Sequence, residues 1–236
     1  MKVLITRSEV DAAPLVDLLS ARNIVSVVDP MIKVELRLGS PLGLTGVQAL
    51  LMTSANGVRA YCARNSEREL PLFAVGDATA REAMANGFSN IFTARGDVSH
   101  LAKLVQIKLS KSGGILLHVA GTKTAGDLAG NLLGAGFEYR RDILYNVVAA
   151  QFLHSNTIMA LTKKEVQGVL LYSPRTAQIF CRCAVADLGE NMLSDVTAYC
   201  LSEAVADKAK ALKWRAVVVA SSPTQLELIH VVARGV

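Results

Sequence analysis

Leu50-Leu51-Met52-Thr53-Ser54-Ala55-Asn56, followed by Phe73-Ala74-Val75-Gly76-Asp77-Ala78-Thr79-Ala80, recurs later in diverged form. The second copy reads Val169-Leu170-Leu171-Tyr172-Ser173-Pro174-Arg175, then Ala198-Tyr199-Cys200-Leu201-Ser202-Glu203-Ala204-Val205-Ala206. From Ala78 and Ala204 onward the copies stay in register at an offset of 204 − 78 = 126, which carries Ala83 onto Ala209, Phe88 onto Trp214 and Ala94 onto Ala220. Each copy has the same grammar: a short apolar strand ends in a small polar residue, where an amphipathic helix begins. In open parallel α/β sheets, ligands bind at such strand carboxyl ends. Two units of this kind predict two rows of helix amino termini facing each other across a cleft.

Working outward, the pattern alternates strand and helix almost throughout. Strands are expected at 2–6, 24–28, 47–53, 72–75, 90–93, 114–120, 168–172, 196–201 and 216–220. Helices are expected at 9–21, 56–64, 79–86, 99–110, 124–136 and 158–165, and after each of the last three strands. Residues 31–38 read as an exposed strand and 139–152 as a long extended run. The second series lacks a first βαβ unit, and the chain has a spare one at 1–28. The economical solution is two doubly wound parallel-sheet domains of flavodoxin or Rossmann type, one inserted in the other. The discontinuous domain takes 1–30 and 152–236, and the inserted one 39–142. Segments 31–38 and 143–151 cross between them as paired linker strands.

The 236 residues are 51% hydrophobic but only 5% aromatic, so the core must be aliphatic, as buried parallel strands require. Segment 38–58 carries no charge, yet its glycines, Pro41, Gln48 and Asn56 favour loop plus strand over a membrane span. Residues 1–7 enter a strand directly and resemble no signal peptide, so a cytoplasmic protein is expected. Four cysteines without a Cys-x-x-Cys pair, and histidines on unrelated elements, predict buried free thiols and no metal. The formal charge of +5 is spread along the chain, which fits a small anionic ligand better than nucleic acid.

Among chemical motifs, the glycine-rich nucleotide loops and the serine-hydrolase elbow are all missing. Gly121-Thr122-Lys123-Thr124 is the nearest phosphate-like loop, and as a solvated turn it needs no ligand. What remains is a set of small polar turns: Thr53-Ser54-Ala55-Asn56, Gly76-Asp77-Ala78-Thr79, Ser173-Pro174-Arg175-Thr176, Ser202-Glu203 and Ser221-Ser222-Pro223-Thr224. Each is an ordinary helix cap taken alone; together they suggest anion binding by amide N–H groups. Tyr145, in the extended run, is either a core residue or a phenol facing the cleft as a proton donor.

In this order the residues resemble the uroporphyrinogen-III synthase family. The resemblance is carried by Leu4-Ile5-Thr6-Arg7, Thr53-Ser54-x-Asn56, Val75-Gly76-Asp77-Ala78-Thr79-Ala80, Tyr145, Ser173-Pro174, Leu201-Ser202-Glu203 and Ser222-Pro223-Thr224. It implies a cofactor-independent hydro-lyase of heme biosynthesis that cyclises hydroxymethylbilane to uroporphyrinogen III, inverting ring D through a spiro intermediate. It further implies Tyr145 as the acid, with Thr6, Arg7, Thr53, Ser54, Asn56, Gly76, Thr79, Ser173, Pro174, Ser202, Ser222 and Thr224 on the substrate. Ser8 stands where the family often has proline, and His118-Val119-Ala120-Gly121 lacks an arginine the family often carries; either Lys123 takes over its contact or the contact is dispensable. A monomer is expected, taking its substrate from the preceding pathway enzyme, with no nucleic acid or membrane as partner. The rival reading is a two-lobed cytoplasmic protein that clamps a small anion without chemistry.

Overall fold

A computed structural model describes residues 1–123 and 126–235. In chain order the elements begin with β1 (Lys2–Ile5), α1 (Glu9–Ser20), β2 (Val25–Val28) and β3 (Ile32–Leu36). Next come β4 (Val47–Met52), α2 (Ala55–Cys62), β5 (Leu72–Ala74), α3 (Asp77–Ala85), β6 (Ile91–Thr93) and α4 (Val98–Lys108). Then follow β7 (Ile115–Gly121), α5 (Leu128–Leu133), β8 (Tyr139–Ala149) and α6 (Ser155–Thr162). The chain closes with β9 (Gly168–Leu171), α7 (Pro174–Leu188), β10 (Thr197–Cys200), α8 (Glu203–Ala209), β11 (Ala216–Val219) and α9 (Gln225–Arg234). It divides into two compact units, Met1–Lys33 with Val148–Val236, and Val34–Val147.

The first unit holds a five-stranded sheet in the order β11-β10-β9-β1-β2, with every pairing parallel. Alternation along each strand separates its two faces. Val3, Ile5 and Leu170 pack with Leu15, Leu19, Leu228 and Ile229, under α1 and α9. Leu4, Val169 and Leu171 pack with Leu161, Phe180, Ala184 and Val205, under α6, α7 and α8. Helices on both faces explain why β9 is buried along its whole length and is apolar without interruption.

The second unit holds a six-stranded sheet, order β3-β8-β7-β4-β5-β6. Leu50, Met52, Leu117 and Val119 face Val58, Tyr61, Ala83 and Phe88 of the α2–α3 side. Ala49, Leu51, Phe73 and Leu116 face Leu101, Val105, Leu128 and Leu132 of α4 and α5. The segments expected as crossing strands are β3, at the edge of this sheet, and the far half of β8, whose near half pairs with β7. β3 and β8 run antiparallel, with Arg37 N–H donating to the Leu144 carbonyl at 2.7 Å and Ala150 N–H to that of Met31 at 3.0 Å.

Side by side, the two sheets reveal a permutation. Taking β9, β10 and β11 as counterparts of β4, β5 and β6 leaves β1 and β2 matching β7 and β8 in position. The β1–α1–β2 unit that opens one domain therefore occupies the place that β7–α5–β8 closes in the other. In each sheet the chain reverses its direction of progress between two inner strands, β1 and β9 in one and β7 and β4 in the other, and such switch points are where open α/β sheets bind ligands.

Two helices differ from expectation. The helix expected over 124–136 is only α5, Leu128–Leu133. Gly126 sits at φ +69°, and the Asp127 carboxylate accepts the Gly130 N–H at 2.8 Å, which sets the helix start; Thr124 lies outside the described residues. The helix expected at 158–165 begins earlier, at Ser155, because the buried Asp29 accepts the His154 N–H at 2.8 Å, and it stops before Lys164 at φ +56°.

Candidate active site

A pocket of roughly 540 Å³ opens at the strand carboxyl ends of the second unit, lined among others by Thr53, Ser54, Asp97, Lys123, Asp127 and Tyr145. It lies at the β4 and β7 ends, beside the switch point. Tyr145 reaches it from β8 and is only 5% exposed. A register shift pairs Gly121 of β7 with Tyr145, and a Cβ at Gly121 would stand 2.6 Å from the Tyr145 ring. The absent side chain at Gly121 is what leaves room for the ring there.

The Tyr145 hydroxyl is 3.0 Å from Ser54 Oγ. Ser54 is the N-cap of α2, and its Oγ accepts the N–H groups of Asn56 at 3.1 Å and Gly57 at 3.4 Å. A serine hydroxyl has two acceptor lone pairs and one proton. Either hydroxyl can donate in this pair; where Ser54, with its lone pairs engaged by the two N–H groups, is the donor, the phenolic proton of Tyr145 is left for the pocket.

Beside it, Thr53 is braced from behind. His118, 1% exposed in an otherwise apolar strand, places Nε2 3.2 Å from Thr53 Oγ1 and Nδ1 2.6 Å from the Tyr139 hydroxyl. Burial pushes the His118 imidazole down to about 4, with Arg141 acting in the same sense, while burial pushes the Tyr139 phenol up to about 12. Sequence reading passed over His118 as one histidine among unrelated elements. The signal that could have found it is a single ionisable side chain inside the run Ile115-Leu116-Leu117-His118-Val119-Ala120.

Charge around this pocket is modest. Lys123 is the one cation among the lining residues named above, and both aspartates are committed to caps. Asp97 accepts from Ser99 and His100 N–H groups and from the His100 ring, which holds its carboxyl below the usual range. Asn56, expected on the substrate, has its Oδ1 taken by Arg59 at 3.0 Å. Thr79 lies inside α3, 4% exposed, not at its start; Gly76 is the N-cap of that helix and carries no side-chain cap.

In the first unit, Arg7 lies at the carboxyl end of β1. Its guanidinium donates to Gln225 Oε1 at 2.9 Å, lies 3.8 Å from Asp11, and stacks 4.5 Å above the Tyr172 ring. Burial pushes the Tyr172 phenol up to about 12, and its buried oxygen has no hydrogen-bond partner among the described residues. Tyr172 and Gln225 are further residues sequence reading did not single out. Thr6 is fully buried and donates to the Leu170 carbonyl at 2.7 Å, tying β1 to β9, so its hydroxyl faces the sheet rather than a ligand. Ser173 caps α7 through a capping box with Thr176, and Pro174 is the first residue of that helix. Ser202 caps α8 by its backbone alone, while Thr224 caps α9 by accepting the Glu227 N–H at 3.2 Å. Ser222 is exposed, its carbonyl accepting the Thr224 N–H at 2.7 Å. Among the described residues, no group of three or more His, Cys, Asp or Glu side chains is placed to hold a metal ion.

A family model described as uroporphyrinogen-III synthase HemD (HEM4) matches residues 13–230. The fold is similar to that of uroporphyrinogen-III synthetase from Helicobacter pylori 26695, with a TM-score of 0.68, 15% identity, and coverage of 100% of this chain and 99% of that one. It is also similar to a mutant uroporphyrinogen III synthase from the extremely thermophilic bacterium Thermus thermophilus, with a TM-score of 0.56, 15% identity, and coverage of 100% and 98%. A search of curated proteins finds no match.

Proposed function

The chain belongs to the uroporphyrinogen-III synthase family, and from that premise we propose how its residues carry the family's reaction. The protein is a cyclising lyase of tetrapyrrole biosynthesis, converting hydroxymethylbilane to uroporphyrinogen III. Tyr145 gives its proton to the terminal hydroxyl of the linear tetrapyrrole. The carbon–oxygen bond breaks, water leaves, and an azafulvenium-like electrophile remains. Ring D attacks through its substituted carbon to form a spiro intermediate, which fragments and recloses with the ring inverted. The proton released on rearomatisation restores the phenol. The observation that supports this reading is the Ser54–Tyr145 hydrogen bond at the pocket, because with Ser54 as its donor the phenolic proton is free for the substrate.

Unassisted closure yields the uninverted isomer, so most of the work is holding a flexible molecule in the spiro-forming geometry. We assign that holding to Thr53, Ser54, Gly76, Lys123, Arg7, Ser173, Ser202, Ser222 and Thr224. Thr6, Asn56, Thr79 and Pro174 serve through backbone position, since their side chains are engaged, buried or apolar. We place the reaction in the cytoplasm, in a monomer that takes its substrate directly from the enzyme that makes it, because the free substrate closes the wrong way. No helix among the described residues is long and apolar enough to cross a membrane. The test is to incubate the protein with freshly generated hydroxymethylbilane, oxidise the products and separate the isomers. Isomer III is expected; isomer I alone, as in buffer, would sink the proposal.

A further inference from the structure

Thr53 holds a hydrogen-bond chain that the reaction scheme above does not use. Behind its hydroxyl stands the buried His118, and behind His118 the Tyr139 hydroxyl, at 3.2 and 2.6 Å. Three strands supply the three groups: Thr53 follows β4, His118 lies in β7 and Tyr139 opens β8. The register fixes them, since Leu51 pairs with His118 on one side and Leu116 with Tyr139 on the other.

A neutral imidazole carries one proton, so one of its nitrogens donates and the other accepts. Tyrosine, protonated and short of other partners, is the better donor to imidazole than acceptor from it. If Tyr139 donates to Nδ1, the imidazole proton sits on Nε2 and is given to Thr53 Oγ1. Thr53 then cannot point its own proton back at His118, and that proton turns toward the pocket that Thr53 lines. Arg141 of β8 also opposes a charged imidazole, and Asp127 acts on the Tyr139 end of the chain, where it favours the protonated phenol. Arg141 itself is tethered to the Gly121 and Thr122 carbonyls at 2.7 and 3.3 Å, so it stays in place.

We infer that His118 is a positioning residue for the cyclisation: with Tyr139 it orients Thr53 as a hydrogen-bond donor to an oxygen of the bound tetrapyrrole, beside the donor Tyr145. The inference rests on the functional reading above and adds to it a second oriented proton. Ser54 orders Tyr145 from one side, and His118 orders Thr53 from the other.

Two measurements test it. The first needs no substrate: long-range ¹H–¹⁵N spectra of the full chain report which imidazole nitrogen carries the proton. The Nε2–H form is expected for His118, and Tyr139→Phe is expected to change its nitrogen shifts; an Nδ1–H form would overturn the assignment. The second is a double-mutant cycle on isomer III formation. His118→Leu and Thr53→Val are each expected to lower kcat about fivefold to tenfold with little change in KM, the worth of one oriented hydrogen bond. His118→Leu should cost nothing further once Thr53 is Val, and His118→Gln, which keeps a donor near the Nε2 position, should recover most of the rate. Additive losses, or a His118→Leu protein with unchanged kcat, would overturn the role. A wild-type protein that yields only isomer I would sink the functional reading instead, with the tautomer still measured.

Discussion

Tyr145 is held by two neighbours that carry no charge, Ser54 and Gly121. Replacing it by Phe should lower the rate of isomer III formation about a hundredfold, the low end for loss of a general acid, without abolishing it; turnover equal to wild type would remove Tyr145 from the chemistry. Gly121→Ala should act on the same step without touching a polar atom, since its methyl would meet the ring at 2.6 Å. A loss comparable with Tyr145→Phe, measured by the same isomer separation, is expected. His118 supplies a pH signature. Its folded value near 4 lies below the ordinary value of about 6.5. Between those pH values the unfolded chain binds a proton that the folded chain refuses, so stability rises with pH across the window and is lost as pH falls through it. The loss attributable to His118 is about 2 to 3 kcal/mol near pH 4.5. Urea midpoints at pH 7 and 4.5 should therefore fall further for wild type than for His118→Gln.

Strands and helices were largely legible because their periodicities differ. An unbroken apolar run such as Val169-Leu170-Leu171 is buried on both faces, and the small polar residue after it caps the next helix. Ser54 and Ser173 are such caps, related by 173 − 54 = 119 positions, and both accept backbone N–H groups. Ser173→Ala should destabilise the protein by about 1 kcal/mol, measured by denaturation, through loss of the α7 cap. Less legible were helix limits set by long-range partners: α6 begins where Asp29, 125 residues away, meets His154. On α7, Cys181 and Cys183 face different neighbours, near the Ala209 and Ala150 carbonyls respectively. Burial pushes the Cys181 thiol up to about 11 and the Cys200 thiol up to about 12. Both should resist alkylation in the native protein and react when it is unfolded.

Each unit has cores on both faces of its own sheet, and the inserted unit enters and leaves through neighbouring strands. Met31 and Ala150 share a hydrogen bond of 3.0 Å, so a short glycine turn can join Lys33 to Val148. The excised first unit should then unfold cooperatively in urea by itself. Deleting 1–33 should abolish that transition, because β1 is an inner strand between β9 and β2. The amino-acid sequence alone determined the alternation of elements, the duplication, the family resemblance and the polar turns, because these depend on residues near one another along the chain. It also pointed to Tyr145, but left open whether that phenol was core or donor. Tertiary structure packs the ring into the core with Leu144, Val119 and Val58 and brings its hydroxyl within 3.0 Å of Ser54, 91 residues away. It likewise decided that Thr6 bonds its own sheet, that Asn56 serves Arg59, and that His118 stands behind Thr53. A hydroxyl or an amide carries the same letter whether it faces a ligand or a neighbouring strand. Only the register of distant strands settles which atom takes its hydrogen bond.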